Sequence, residues 1–480
     1  MQKNELKIAL VSLQKDAERV PPMGLVYIAT YLRDKVGLAQ ENIKIFDSNF
    51  DEKIIQEVVQ FKPDIIGVGA MTVIYQKAVA FASSIRKYLS VPILIGGVHI
   101  STLPESFKPC FDIGIIGEGE ETLQELINLY LKNKKFEAKK LKKVKSIIFL
   151  EKKKLFLTKP REPIDLNILP IPDFKFSNPE YFKSTEIAST AKTMVRGYVI
   201  SSRGCPYRCI FCSTSRFWKK MRFHSPEYTA KTIKKQMEDF NARHFAVVDD
   251  LFTVSPERLN SLCEAFKKEG ILDKLDGLDA TARANLITED LCNAMKKIKI
   301  KTLNFGFETG SDRILNRLKV GSVTVAMNKK AIIIAKRNDF MVYGSLMYGS
   351  PGEKIEDMKK TNDFIDFCAK NGADNIWSFV ATPFPSTPFW DVALERGTVS
   401  NNMNFDLLSH HNFQKPLLLD PDISVEEFNR VYFIGKKKLR NMRIKLIKRF
   451  ILKNPSKVIE MVFNEPSYWA KRIFRQLFKQ

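Results

Sequence analysis

The sequence predicts an α/β protein of two successive parallel-sheet units, a doubly wound sheet followed by a partial or full β/α barrel, with a basic helical tail. Three observations carry this prediction. Short apolar runs alternate with helical stretches in two separate series along the 480 residues. The runs stop at Gly-rich or acidic turns. Three of the seven cysteines crowd into RGCPYRCIFC, residues 203 to 212, directly after the first run of the second series.

In the first series the strand candidates are KIALVSL from Lys7, IKIFDS, PDIIGVGAM, PILIGG (92–97) and FDIGIIGEGEE (111–121). Helical stretches separate them, one running from the PPMG turn through Tyr31 and another starting at Asp51. A doubly wound sheet binds its ligand beyond the carboxyl ends of the strands. Those ends hold Met71 and Thr72, then Gly96 to His99, then Gly117 to Glu120. Residues 136–192 change character, with lysine clusters, a hairpin candidate in SIIFLEKKKLFL and the proline-rich PIDLNILPIPDF, and read as a linker or strap. The second series gives six strand candidates: YVISSRG, HFAVVDD, LDATARA, TLNFGFETG, VYGSLMYGSPGE and NIWSFVATPFPSTP. Barrels of this kind do their chemistry at the carboxyl ends of the strands. The expected segments are therefore 1–135 for the first sheet, 136–192 for the strap, 193–400 for the barrel and 401–480 for the tail.

Composition narrows the class. A hydrophobic share of 44% is ordinary for a chain with real cores. No apolar run approaches the roughly 18–20 residues of a membrane span, and MQKNELKIALVSL lacks a signal-peptide pattern, so a cytoplasmic protein is expected. An odd cysteine count argues against a disulfide framework, and Cys110, Cys263, Cys292 and Cys368 read as core. The net charge is +23, and from Lys436 to Gln480 fourteen Lys and Arg face two acids, placing about half of that excess in the tail. There Leu439, Met442, Leu446, Ile447 and Phe450 fall at helical spacing among basic residues, and Trp469, Ile473, Phe474, Leu477 and Phe478 repeat the pattern. Such helices bind anionic membrane surfaces or pack their apolar faces on the barrel; nucleic acid, lacking a recognised fold for it, ranks behind both.

Cys205, Cys209 and Cys212 have the spacing C-x3-C-x2-C, which lets one tight loop reach three corners of a cubane iron–sulfur cluster and leaves one iron open. Zinc would want a further ligand, and His224 is the nearest histidine, twelve residues on.

With Phe211 just before the last cysteine, this loop resembles that of the radical S-adenosylmethionine enzymes, and the resemblance continues through VVDDLFT, TARANL, FGFETGSDRIL, GSPGE and VATPFPSTP. The stretches PPMGLVYIATYL, PDIIGVGA, GGVHISTLPE and IIGEGEET resemble the cobalamin-binding, Rossmann-like domain of the cobalamin-dependent subfamily, which includes carbon methylases, the anaerobic magnesium-protoporphyrin cyclase and hopanoid-modifying enzymes. The resemblance implies a 4Fe–4S cluster on the three cysteines, S-adenosylmethionine, cobalamin, and an electron donor such as flavodoxin or ferredoxin. It further implies reductive cleavage to a 5′-deoxyadenosyl radical that attacks unactivated carbon, for methyl transfer or for ring formation or rearrangement, on a small-molecule or lipid-like substrate.

Residue by residue, it places Phe211 near the adenine and one of Asp249 and Asp250 at the ammonium group of S-adenosylmethionine. Arg283 suits its carboxylate, Glu308 its ribose or amino group, and Gly349 and Gly352 allow close approach of the backbone to the adenine. On the cobalamin side, Gly96 and Gly97 clear a path for the cofactor, Thr72 hydrogen-bonds its tail, and Glu118 lies at the neighbouring strand end. His99 is either a contact at the cofactor's periphery or a helix-start residue without a role; a structural Arg283–Glu308 ion pair is the other reading of those two. The chain lacks D-x-H-x-x-G, so the cobalt is expected to have no histidine on its lower face. Two other functions stand beside this one. A methylthiotransferase acting on tRNA needs three more cluster cysteines where the first domain has only Cys110, and a cobalamin sensor would not need the three in the loop.

Overall fold

Central parallel strands are covered on both faces and so read as unbroken apolar runs. IALVS does so: β1 (Ile8–Ser12) is buried throughout in the computed structural model, which describes all residues except 1–2, 15–19, 184, 188–191, 454 and 456–480. It pairs in parallel with β2 (Ile43–Asp47) on one side and β3 (Ile65–Gly69) on the other. β4 (Ile93–Gly96) and β5 (Ile113–Ile115) follow in parallel. The expected hairpin forms as β6 (Ile147–Glu151) and β7 (Lys154–Leu157), turning through Lys152 and Lys153 at positive φ. It extends the sheet antiparallel from β5, giving the order β2-β1-β3-β4-β5-β6-β7. The strap expected over 136–192 thus opens with two strands of the first sheet. Helices α1 (Met23–Tyr31), α2 (Ile54–Phe61), α3 (Tyr75–Ile85), α4 (Val98–Thr102) and α5 (Glu120–Asn133) fill the crossovers.

The second sheet has six strands in sequential order: β8 (Arg196–Val199), β9 (His244–Val247), β10 (Gly277–Ala282), β11 (Ile300–Glu308), β12 (Met341–Tyr348) and β13 (Asn375–Val380). β8 and β13 are its edges, so the barrel is partial.

The chain forms two compact units. The first comprises 1–252, 257–278 and 382–409, and the second 253–256, 279–381 and 410–480. Within the first, residues 382–409 pack on the N-terminal sheet: Gln76 Nε2 donates to the Met403 carbonyl at 3.1 Å, and the Phe405 ring lies 4.5 Å from that of His99. Within the second, helices α6 (Ile355–Lys370) and α7 (Val425–Lys453) pack together, with Asn362 Nδ2 donating to the Val431 carbonyl at 3.1 Å. Of the predicted tail stripe, Leu439 and Met442 are buried, and Leu446 and Ile447 are half-buried. This part of the tail therefore packs. The side chain of Phe450 and all of Trp469, Ile473, Phe474, Leu477 and Phe478 lie outside the described residues. Among the described residues no helix is long and apolar enough to cross a membrane.

Candidate functional site: three strand-end loops and a cysteine loop

Because β3, β4 and β5 are neighbours, the loops carrying Thr72, Gly97 and Glu118 lie side by side at their carboxyl ends. Gly97 has φ +105, and a Cβ there would fall 2.6 Å from the Ala70 carbonyl oxygen, so only glycine fits where the β4 loop crosses the end of β3. Gly96 is less constrained, its nearest neighbour standing 3.9 Å from an added Cβ. Met71 and Val73, flanking Thr72, are exposed at this end. Exposed apolar side chains beside a crossing that admits no side chain fit the broad face of a large ring cofactor such as cobalamin.

His99 is fully buried. Its Nδ1 lies 3.3 Å from Thr72 Oγ1 and its Nε2 lies 2.9 Å from Ser106 Oγ, while the ring lies tilted against that of Tyr75, centroids 3.9 Å apart. Burial pulls its pKa down to about 3, so the imidazole stays neutral. The reading of His99 as a peripheral cofactor contact is corrected: it is a core residue that holds Thr72, and Thr72 itself is buried.

The cysteine loop follows β8. Gly204, at φ +96, brings the chain so near Lys220 that a Cβ would meet its carbonyl at 2.8 Å. Cys209 is buried, and Cys205 and Cys212 are half-buried. Burial raises the Cys205 and Cys212 thiols above their ordinary value, and the neighbouring cysteines and Asp250 add to the shift. Among the described residues no three ligand-type side chains converge on one point able to hold a single metal ion. Three thiols of one loop, close enough to influence one another, fit the three corners of an iron–sulfur cluster.

Arg203 anchors this loop and carried no signal in the sequence. Its Nη1 donates to Glu118 Oε1 at 2.5 Å and its Nη2 to Glu120 Oε1 at 2.6 Å. The guanidinium also lies 5.7 Å from the Trp218 ring centroid. Glu118 further accepts from the Ile164 backbone at 3.0 Å and pairs with Arg222 at 3.0 Å. Glu118 was expected at the cofactor; its carboxylate is engaged with the cysteine loop instead.

Asp249 and Asp250 lie just beyond the end of β9 and face different partners. Asp249 is buried and accepts from Ser201 N and Oγ, both at 2.6 Å, and from Ser202 Oγ at 2.7 Å. Burial still lifts its pKa to about 6 against those donors. Asp250 is exposed and accepts from Gly204 N at 3.2 Å and Thr214 Oγ1 at 2.9 Å, so it is the carboxylate beside the cysteines. Phe211 is half-buried, its ring 6.2 Å from Phe389.

In the second unit Arg283 donates to Ser322 Oγ at 2.6 Å. Glu308, at φ +64, pairs with Lys319 Nζ at 2.7 Å. The ion pair of Glu308 is thus with Lys319, eleven residues on, rather than with Arg283. Gly349 and Gly352 both take positive φ in the turn after β12. Glu353 closes that turn, accepting from Gly349 N at 2.6 Å and Ser350 N at 3.1 Å. Its burial raises its pKa to about 8, leaving it mostly protonated near neutrality.

Comparison with known proteins agrees with these loops. The B12 binding domain profile matches residues 10–127, and the Radical SAM superfamily profile matches residues 199–365. An uncharacterized methyltransferase of Pyrococcus horikoshii is 29% identical over 96% of this chain and 94% of its own length. The anaerobic magnesium-protoporphyrin IX monomethyl ester cyclase of Cereibacter sphaeroides is 24% identical over 83% of this chain and 63% of its own length. Among solved structures, the radical S-adenosylmethionine methyltransferase TsrM of Kitasatospora setae aligns with TM-score 0.68 at 17% identity, covering 82% of this chain and 77% of its own, which shows a common fold. With both domains on one chain, the protein belongs to the cobalamin-dependent radical S-adenosylmethionine enzymes, whose cofactors are cobalamin, S-adenosylmethionine and a 4Fe–4S cluster.

Proposed function

We propose that this enzyme methylates an unactivated carbon of a small-molecule substrate, with ring formation or rearrangement as the second reading. One observation carries most weight: Arg203 ties the loop of Cys205, Cys209 and Cys212 to Glu118 and Glu120, at the strand ends where a cobalamin domain binds its ligand. The bound cofactors supply a radical and a methyl group; the chain's own residues bind, orient and exclude water. In this reading the three cysteines hold the cluster, Asp250 rather than Asp249 faces the ammonium group, and Phe211 borders the adenine. Arg283 takes the carboxylate, Glu308 with Lys319 the ribose or amino group, and Gly349 and Gly352 flank the adenine. Thr72, Gly96 and Gly97 border the corrin, with His99 as a positioning residue behind Thr72. Segments 1–135, 136–192, 193–400 and 401–480 then serve as cobalamin domain, strap, barrel and tail, and a flavodoxin or ferredoxin supplies electrons.

Feeding CD3-labelled methionine to a parent strain and to a deletion strain tests the reaction. A compound lost on deletion should carry one CD3 group; an unlabelled lost compound overturns methylation in favour of ring formation or rearrangement.

Peripheral membrane contact through the tail is part of the same proposal. Phe433, Ile434, Ile451 and Leu452 are exposed on basic α7, and roughly 1 kcal/mol per cation near an anionic surface makes a few contacts sufficient. The full chain should cosediment with anionic vesicles at low salt and lose them at ~0.5 M salt. Failure to bind at low salt assigns the tail a packing role alone.

A further inference from the structure

Residues 203–223, which contain the cysteine loop, carry six Lys and Arg and no Asp or Glu. Two of these cations are already paired: Arg203 with Glu118 and Glu120, and Arg222 with Glu118. The other four, Arg208, Arg216, Lys219 and Lys220, are exposed, and among the described residues none of them forms an ion pair. Charge of one sign is left over in this segment.

The fold holds these four around the cysteines. Arg208 stands inside the loop, exposed beside the buried Cys209. Residues 218–220 turn back onto the start of the loop, where a Cβ on Gly204 would meet the Lys220 carbonyl oxygen at 2.8 Å and Trp218 Cβ at 3.0 Å; Arg222 lies opposite Arg203 in an antiparallel ladder. Arg216 follows Cys212 closely, its N–H donating to the Ser213 carbonyl at 2.9 Å. With Trp218, Arg216 and Lys219 also line a cavity of about 170 Å³. Of the acids lining that cavity, Glu118 and Glu120 are held by Arg203 and Glu121 by Arg161, which leaves Glu162. Asp250, accepting from Gly204 N, is the carboxylate at the loop itself. Four cations against these two acids make the surface around the cysteines positive.

We propose that Arg208, Arg216, Lys219 and Lys220 form the docking surface for a small acidic electron-carrier protein, which reduces the enzyme through the cysteine loop. The inference rests on the radical-enzyme reading above and specifies where its electron donor lands. A bilayer or a nucleic-acid duplex would be met equally well by cations elsewhere on this basic chain, whereas an electron donor gains from cations set around the loop that takes the electron. Exposed, unpaired charges speed encounter more than they tighten a complex, which suits a carrier that must arrive, deliver and leave. One electron leaves the reduced carrier, which is oxidised, and enters at the cysteine loop, where reductive cleavage of S-adenosylmethionine consumes it.

The test measures binding of a purified flavodoxin and a purified ferredoxin to the reconstituted full chain under anaerobic conditions, by surface plasmon resonance at low and at ~0.3 M salt. At least one carrier is expected to bind, about ten-fold more weakly at the higher salt, and to lose about ten-fold in the variant Lys219→Glu, Lys220→Glu at low salt. The control variant Lys152→Glu, Lys153→Glu makes the same change of net charge at the turn of the β6–β7 hairpin, away from the cavity-lining Ser146 and Pro160, and should bind as the unaltered chain does. Release of 5′-deoxyadenosine is then compared with the reduced carrier and with dithionite as donor: Lys219→Glu, Lys220→Glu should lose the carrier-driven rate and keep the dithionite-driven one, which also shows that it is folded. Binding of neither carrier, binding indifferent to salt, or equal weakening by both variants overturns the proposal. So does a charge reversal at Lys219 and Lys220 that costs binding to an RNA duplex or to anionic vesicles and leaves both carriers unaffected. Absence of dithionite-driven cleavage in the unaltered enzyme counts against the radical reading instead, so the two failures are told apart.

Discussion

Replacing any one of Cys205, Cys209 and Cys212 by Ala abolishes 5′-deoxyadenosine formation and lowers the iron content of the reconstituted protein, whereas Cys263→Ala leaves both intact. Each of the three supplies a thiolate from one loop, and no spare cysteine stands within it to substitute. Cys263 is buried in the helix Pro256–Lys268 and packs as a small apolar residue. Removing a direct ligand should exceed the roughly 10–100-fold loss that follows removal of an outer-shell partner. Iron and sulfide analysis beside chromatographic detection of 5′-deoxyadenosine measures this. A single loop variant with full cluster content and full cleavage would sink the assignment of this loop.

Arg203→Met is expected to have the largest effect on stability. Both of its partners are buried or nearly so; losing the guanidinium strands the Glu120 carboxylate without a counter-charge and leaves Glu118 to Arg222 alone, at a cost of about 3–5 kcal/mol. The double variant Arg203→Met, Glu120→Gln should recover much of that loss, because Glu118 keeps Arg222 and no buried carboxylate is then unpaired. Urea unfolding curves of the three proteins decide it. A loss below about 1 kcal/mol in Arg203→Met would show that the carboxylates find water or other partners.

The cysteine loop and the strand-end loops were legible in the sequence because local patterns define them: spacing in one, alternation of strand and helix in the other. Long-range partners leave no such trace. Nothing beside Cys205 marks Arg203 as paired with residues 85 and 83 positions earlier. For the same reason Glu308 could be matched to Arg283 on paper while its partner is Lys319. Alternation along a strand predicted that only one of Asp249 and Asp250 would reach the ammonium group of S-adenosylmethionine, although both lie just beyond the strand's end. It could not say which, since that depends on Ser201 and Ser202 capturing Asp249. Strand count was legible; closure of the barrel was not, because pairing between first and last strands is not written in periodicity.

The return of residues 382–409 to the first unit sets an order on how the protein can be made. Gln76 waits for a carbonyl 327 positions further along, and the rings of Tyr75 and His99 wait for Phe405. A ribosome releases the N-terminal sheet long before it makes that segment, so the nascent sheet must persist with an apolar flank open to water. Contacts of such sequence separation also slow folding. The cobalamin half, first to emerge, is therefore among the last to be finished, and a fragment cut at the sequence boundary near residue 135 inherits the same open flank permanently.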